Sequence, residues 1–364
     1  MKKLFLISAS TLALINPAFA QDHHGHNHGH DHDHDKNWSV HVDTATYITD
    51  IYEANEADEE VSDIFSHSHV EGTYKFNNNL SVNGTLLLEG DPAGHAHGGG
   101  ATRTGDRFFD DHPLFIEQLT MNYDDDHYGA FAGKFSPNIG VDDHDVPGWF
   151  GTFVFEEFEI TERIGFGGYV GHDGHRLDVS TYFADTTFLQ ESALYDRATI
   201  DGEDGGVANT EDFSSFTAQL SGDIIEPVSY YIGYADQGND NGDDETRFVV
   251  GVNGHTDITD DLSLNAMADI TDINHLGGEA DHDRTYMTVG LGADFNNWTA
   301  GATYTKIDND NTDSTEGMDG HIAQGSVGYN FGHGFGVDVG FERTNEEGET
   351  SKRVGSLLRY HAEL

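Results

Sequence analysis

Cysteine is absent from the 364 residues. No disulfide can brace the chain, and neither a thiolate metal site nor a cysteine nucleophile can be built from it. Basic residues are scarce: 17 Lys and Arg stand against 66 Asp and Glu, a net charge of -49 at pH 7. Such a chain repels nucleic acid and attracts cations. Long apolar runs are missing as well. Beyond Ala20 no run approaches the length of about 20 residues that a membrane-spanning helix needs, which excludes a helical membrane protein. The serine-hydrolase pattern Gly-x-Ser-x-Gly and the zinc-protease pattern His-Glu-x-x-His do not occur, so neither enzyme class is indicated. An acidic composition can also mean disorder, but 23 Phe and 15 Tyr are too many for a chain without a packed body.

The first 20 residues, MKKLFLISASTLALINPAFA, combine a basic start at Lys2 and Lys3, an apolar run from Leu4 to Ile15 and the small-residue site Ala18-Phe19-Ala20. This pattern predicts a secretory signal peptide over 1–20. A tail over 21–36 follows, containing HHGHNHGHDHDHD from His23 to Asp35. With no apolar residue in that stretch, disorder is expected. His23, His24, His26, His28, His30, His32 and His34 supply imidazoles that bind zinc, copper or nickel when neutral, and binding should fail as pH drops through about 6.5. The alternative is a soluble low-complexity tail. His95 and His97, in DPAGHAHGGG, form a second short pair. They can meet one ion if the loop bends and carboxylates complete the site, or they belong to a plain polar loop. Nothing in the rest of the chain requires a cofactor.

From Trp38 onward apolar and polar residues alternate with period two. YMTVGLGADF sets Met287, Val289, Leu291, Ala293 and Phe295 on one face, opposite Tyr286, Thr288, Gly290, Gly292 and Asp294. FGVDVGFE sets Phe335, Val337, Val339 and Phe341 opposite Gly336, Asp338 and Gly340. The alternation predicts sixteen strands, near 37–48, 61–76, 80–90, 114–123, 128–136, 156–170, 176–185, 213–222, 228–237, 246–256, 262–272, 284–295, 298–308, 321–331, 335–343 and 353–364. Most are about ten residues long, the length a tilted strand needs to cross a bilayer. Short and long links alternate between them, as an up-and-down barrel requires, with tight turns on the periplasmic rim and loops outside. Trp298, Tyr329, Phe331 and Tyr360 fall near strand ends, where an interfacial girdle would sit. The expectation for 37–364 is therefore all-β: a closed antiparallel transmembrane β-barrel with both termini on the short-turn rim.

YGAFAGKFSPNIG, Tyr128 to Gly140, followed by VPGWFGTFVFEEFEITERIGFGGYVG, resembles the segment of Gram-negative outer-membrane porins that leads into their third long loop. The chain is similar in architecture to the sixteen-stranded members of that family over 37–364. The family usually ends in Phe or Trp. Here the end is RYHAEL, and Leu364 takes that place, sharing parity with Leu358, Tyr360 and Ala362. The resemblance implies a passive diffusion channel for small hydrophilic solutes in the outer membrane, in contact with outer-membrane lipid and lipopolysaccharide, assembled as a homotrimer. It also implies that 137–155 folds into the lumen and makes the constriction.

A channel needs no catalytic group, only a bore, a constriction and a field. Acidic side chains at a constriction favour cations. The candidates are Asp142, Asp143 and Asp145, with Glu156 and Glu157 where the next strand is expected; the alternative for each is an ordinary solvated loop surface. Lys134, Arg163, Arg176 and Arg247 lie in or beside strands. A charge facing lipid is costly there, so they are expected to face the lumen, where Lys134 and Arg163 would oppose the acidic loop and create a transverse field. The reading is a cation-preferring channel with divalent metal involvement. Other readings are a closed-lumen structural or adhesive barrel carrying a metal-binding tail, and an outer-membrane hydrolase.

Overall fold

The computed structural model describes residues 36–90, 105–141, 145–150, 154–155, 158–210, 212–310, 319–346 and 348–364. The signal peptide, residues 21–35 of the tail, His95 and His97 lie outside the described residues. So do Asp142, Asp143, Glu156 and Glu157.

The period-two pattern becomes a ladder of strands: β1 (Trp38–Ala54), β2 (Ser62–Lys75), β3 (Leu80–Glu89), β4 (Arg107–Phe108), β5 (Leu114–Asp124), β6 (Tyr128–Phe135), β7 (Arg163–His172), β8 (His175–Ala184), β9 (Ser192–Ala193), β10 (Ser215–Ile225), β11 (Val228–Gln237), β12 (Glu245–Thr259), β13 (Leu262–Asn274), β14 (Arg284–Phe295), β15 (Trp298–Asn309), β16 (Gly320–Gly332), β17 (Phe335–Glu346) and β18 (Glu349–Glu363). β4 and β9 are two-residue segments that pair onto the outer ends of β2 and β5. The other sixteen strands pair antiparallel in chain order. The cycle closes where β1 meets β18, from His41 opposite Glu363 to Ala54 opposite Ser351. Closure leaves no unpaired barrel edge, which a sheet in lipid cannot tolerate.

Most strands lie where the alternation placed them. One does not. The strand expected from 156 begins only at Arg163. Phe158 and Ile160, inside that expected strand, are buried within the barrel instead, as are Val154 and Phe155 of the lumen segment before it. Their apolar character mimics a strand, but the surface that buries them is the inner wall.

The outer face carries the apolar parity. Met287, Val289, Leu291 and Phe295 of β14 are exposed, while Tyr286 and Thr288 between them are buried. Leu364 and Leu358 share that outer face, and the Leu364 N–H donates to the Val40 carbonyl at 3.0 Å, so the chain ends in register. Aromatic pairs collect at the short turns: Tyr74 with Phe76, Tyr123 with Tyr128, Trp298 with Tyr329, and Phe335 with Tyr360. They form one girdle of a membrane band. The turn at Asp173-Gly174 takes φ of 50° and 78°, the left-handed pair that suits a two-residue hairpin.

Candidate constriction in the barrel lumen

The segment between β6 and β7 runs inside the barrel. It leaves β6 beside β10, where the Gly140 N–H donates to Gln219 Oε1 at 2.7 Å and Gln219 Nε2 donates back to Asn138 Oδ1 at 3.1 Å. Val141 and Val146 then join a cluster with Tyr231, Val249, Met267 and Ile273 of the wall. Further on, the Trp149 N–H donates to Ser326 Oγ at 3.2 Å. Trp149 and Phe150 stack at 3.7 Å, and Trp149 reaches Tyr47 of β1 at 5.5 Å. On the way back Phe158 packs on Tyr286 at 4.7 Å, and its carbonyl accepts from Arg247.

Glycines on the inner wall make room for this path. A Cβ on Gly301 would fall 2.3 Å from the Gly148 nitrogen; one on Gly290 would fall 2.8 Å from Pro147, and one on Gly340 2.6 Å from Trp149. Real Cβ atoms do not approach that closely. The bare inner faces of β14, β15 and β17 therefore form a cradle for Pro147-Gly148-Trp149-Phe150. These glycines sit near the middle of their strands, so the loop narrows the barrel at mid-height.

The charged side chains are arranged in pairs. Lys134 is wholly buried, with Nζ 2.7 Å from Glu162 Oε2, 2.8 Å from Asp185 Oδ2 and 3.2 Å from the Leu189 carbonyl. Arg197 grips the same Glu162 at 2.8 Å and lies over the Phe115 ring at 3.8 Å. Lys134 thus ties the returning end of the loop to the segment after β8. Arg163 reaches Gln237 Oε1 at 3.5 Å. Arg247 pairs with the buried Glu245 at 2.6 Å. Arg176 lies at the short-turn end, 2.7 Å from Asp178 and stacked over Tyr169 at 3.7 Å. Asp145 is exposed on the loop, close enough to Tyr231 to act on it electrostatically. Lys134, Arg163 and Arg247 are thereby brought together around the returning end of the loop, and Arg176 stands apart from them.

Sequence reasoning missed several inner-wall groups. Arg107 of β4 holds Asp63 of β2 with two hydrogen bonds, 2.5 and 2.6 Å, both residues buried. Arg353 of β18 lies 3.7 Å from Glu342 of β17, both sealed behind the loop. Arg359 meets Asp338 at 2.6 Å. His67 and His69 face inward from β2. Lumen-face parity was the signal available for those in expected strands; Arg107, in the link between 90 and 114, carried none. Among the described residues no three His, Asp or Glu side chains are grouped as a ready metal site.

No protein-family model and no curated protein matches the chain. Solved structures match it in shape. OprB of Pseudomonas putida, in a high-pH structure, gives a TM-score of 0.63 at 11% identity, covering 90% of this chain and 95% of that one. A loop-deletion mutant of OmpT, an outer membrane protein of Vibrio cholerae, gives 0.55 at 11% identity, covering 90% and 100%. OpdK of Pseudomonas aeruginosa, solved with vanillate, gives 0.53 at 9% identity, covering 90% and 99%. The chain has the fold of the Gram-negative outer-membrane porins. At such low identity the architecture is what is shared. A closed antiparallel barrel with an apolar outer face is the form in which a sheet spans an outer membrane.

Proposed function

We propose that the chain is a passive diffusion channel for small hydrophilic solutes that prefers cations. The observation that carries this reading is the pairing of inner-wall charge. Lys134, Arg107, Arg176, Arg197, Arg247, Arg353 and Arg359 each stand within ion-pair distance of a carboxylate. The few cations are thus offset locally, while acidic residues outnumber basic ones 66 to 17 across the chain. The surplus carboxylates set the sign of the field, and a low-dielectric wall around a narrow bore concentrates it. Asp145 on the loop adds to the same sign.

Conductance of the refolded protein in a planar bilayer tests this. In a salt gradient the reversal potential should carry the sign of cation preference. Absence of any channel sinks the reading, and a reversal potential of anion sign removes its selectivity. In this reading zinc, copper or nickel is collected after entry by the histidine tail that precedes β1.

A further inference from the structure

The outer wall of this acidic barrel gathers its basic side chains in one place. Lys306 of β15, Arg343 of β17 and Lys352 of β18 have outward parity: Ile307, Glu342, Thr344 and Arg353 beside them are buried, while Tyr304, Phe341 and Val354 on their own face are exposed. By that parity they are the Lys and Arg that point away from the lumen among the described strands. All three lie at the loop rim, opposite the short turns. Arg343 stands directly across from Lys352, and Lys306 directly across from His321, whose ring stacks on Tyr304 at 6.2 Å. Like charges set face to face on paired strands repel. Lys352 turns away to Glu53 of β1, 2.7 Å from both carboxylate oxygens, and Lys306 leans on Asp308. Arg343 is exposed and has no hydrogen-bond or ion-pair partner among the described residues. Toward mid-barrel the same face turns apolar. Phe341, Gly325, Ala302 and Leu291 lie in one row across β17, β16, β15 and β14. The small residues between Phe341 and Leu291 leave a shallow groove on the wall, continued by Val339 and Val327.

We propose that Arg343, Lys352 and Lys306, with the groove beneath them, bind a doubly phosphorylated lipid from the leaflet at the loop rim. A guanidinium is always charged and grips phosphate with two parallel N–H donors. Arg343 and Lys352, on strands about 4.8 Å apart, converge on one phosphate; Lys306, two strands from Arg343 and about 10 Å away, takes the second. Their place is the boundary between the apolar band and the solvated loops. Headgroup phosphates lie at that level, and a basic residue costs little there. An acyl chain fills the groove, whose small side chains let it lie close to the sheet. Charge complementarity selects this occupant. In a chain with 66 acidic against 17 basic residues, an anion approaching the outer wall finds its counter-charge here. The site rests on the barrel's lying in a membrane and not on its conducting.

Native mass spectrometry of the full chain in uncharged detergent, with lipid A bearing two phosphates as the probe, tests the site. The wild-type chain should bind one lipid saturably. A basic residue near a headgroup is worth about 5-fold, so R343Q should weaken binding about 5-fold and R343Q/K352Q/K306Q about 100-fold. Glu53→Gln should tighten it, because Lys352 is released; a general loss of stability cannot produce that sign. Ala302→Leu fills the groove and should weaken binding with no change in charge. Lys75→Gln, at the short-turn end of β2, should change nothing. Absence of bound lipid, or equal affinity in the triple variant, overturns the site. A loss in Lys75→Gln as large as that in R343Q reduces it to net charge and overturns it too. Full displacement by millimolar inorganic phosphate, with Ala302→Leu binding like the wild type, leaves an ion site and removes the lipid. Chain dimers that exclude the lipid and vanish in Ala302→Leu give the face to a second copy and overturn the proposal.

Discussion

Gly301→Val separates the loop from the barrel that carries it. The added Cβ would stand 2.3 Å from the Gly148 nitrogen and 2.7 Å from its Cα and from the Pro147 carbonyl carbon. All three are backbone atoms, so the loop must move rather than a side chain rotate. Trp149 and Phe150 follow immediately, the first 8% and the second 0% exposed. Burial of a large apolar side chain contributes about 1.5–3 kcal/mol. Unseating both rings therefore shifts the docked–undocked balance by about 3 kcal/mol or more, roughly 100-fold. The strand itself loses nothing, because Val favours extended backbone more than Gly does. Single-channel recording should show a larger and noisier conductance, and limited proteolysis in detergent should cut the loop near 145–160 while the barrel stays intact. Gly72→Val is the control, since a Cβ there meets nothing within 4 Å, and it should behave as wild type. Wild-type conductance, noise and protease resistance in Gly301→Val would refute the cradle.

Two further outcomes are expected. Lys134→Met leaves Asp185, 3% exposed, without its cation, while Glu162 keeps Arg197. Removing one member of a buried pair costs about 3–5 kcal/mol. The urea midpoint of the folded barrel should fall accordingly, and a change below about 0.5 kcal/mol would show that the pair contributes nothing net. Deleting 23–34 should reduce zinc binding and zinc flux, and the bound zinc of the parent should be released as pH falls through about 6.5, where imidazoles take up protons. Unchanged binding and flux after the deletion would remove the metal role of the tail.

The order of strands, the two faces of each and the closure of the barrel were legible in the sequence. Those properties are local. A side chain's face follows from its parity within about ten residues, and the alternation of short and long links dictates an up-and-down path. Met287, Val289 and Leu291 face out in the structure as their spacing predicts. The outward register of Leu364 follows the same rule.

The lumen obeys no such local rule. The stretch from 156 reads as a strand, yet Phe158 packs against Phe155, Tyr286 and the inner wall. Gly148 meets Gly301, and Trp149 meets Ser326 177 positions away. The charge of Lys134 was visible, but not that Glu162 and Asp185 enclose it. His67 and His69 share a parity that the sequence displays; their 2.8 Å approach, and the carboxylate that Glu89 brings from β3, depend on the register of two paired strands. Periodicity along one chain tells which way a residue points. What it meets there is decided by the closed barrel, because closure brings distant strands around one enclosed space.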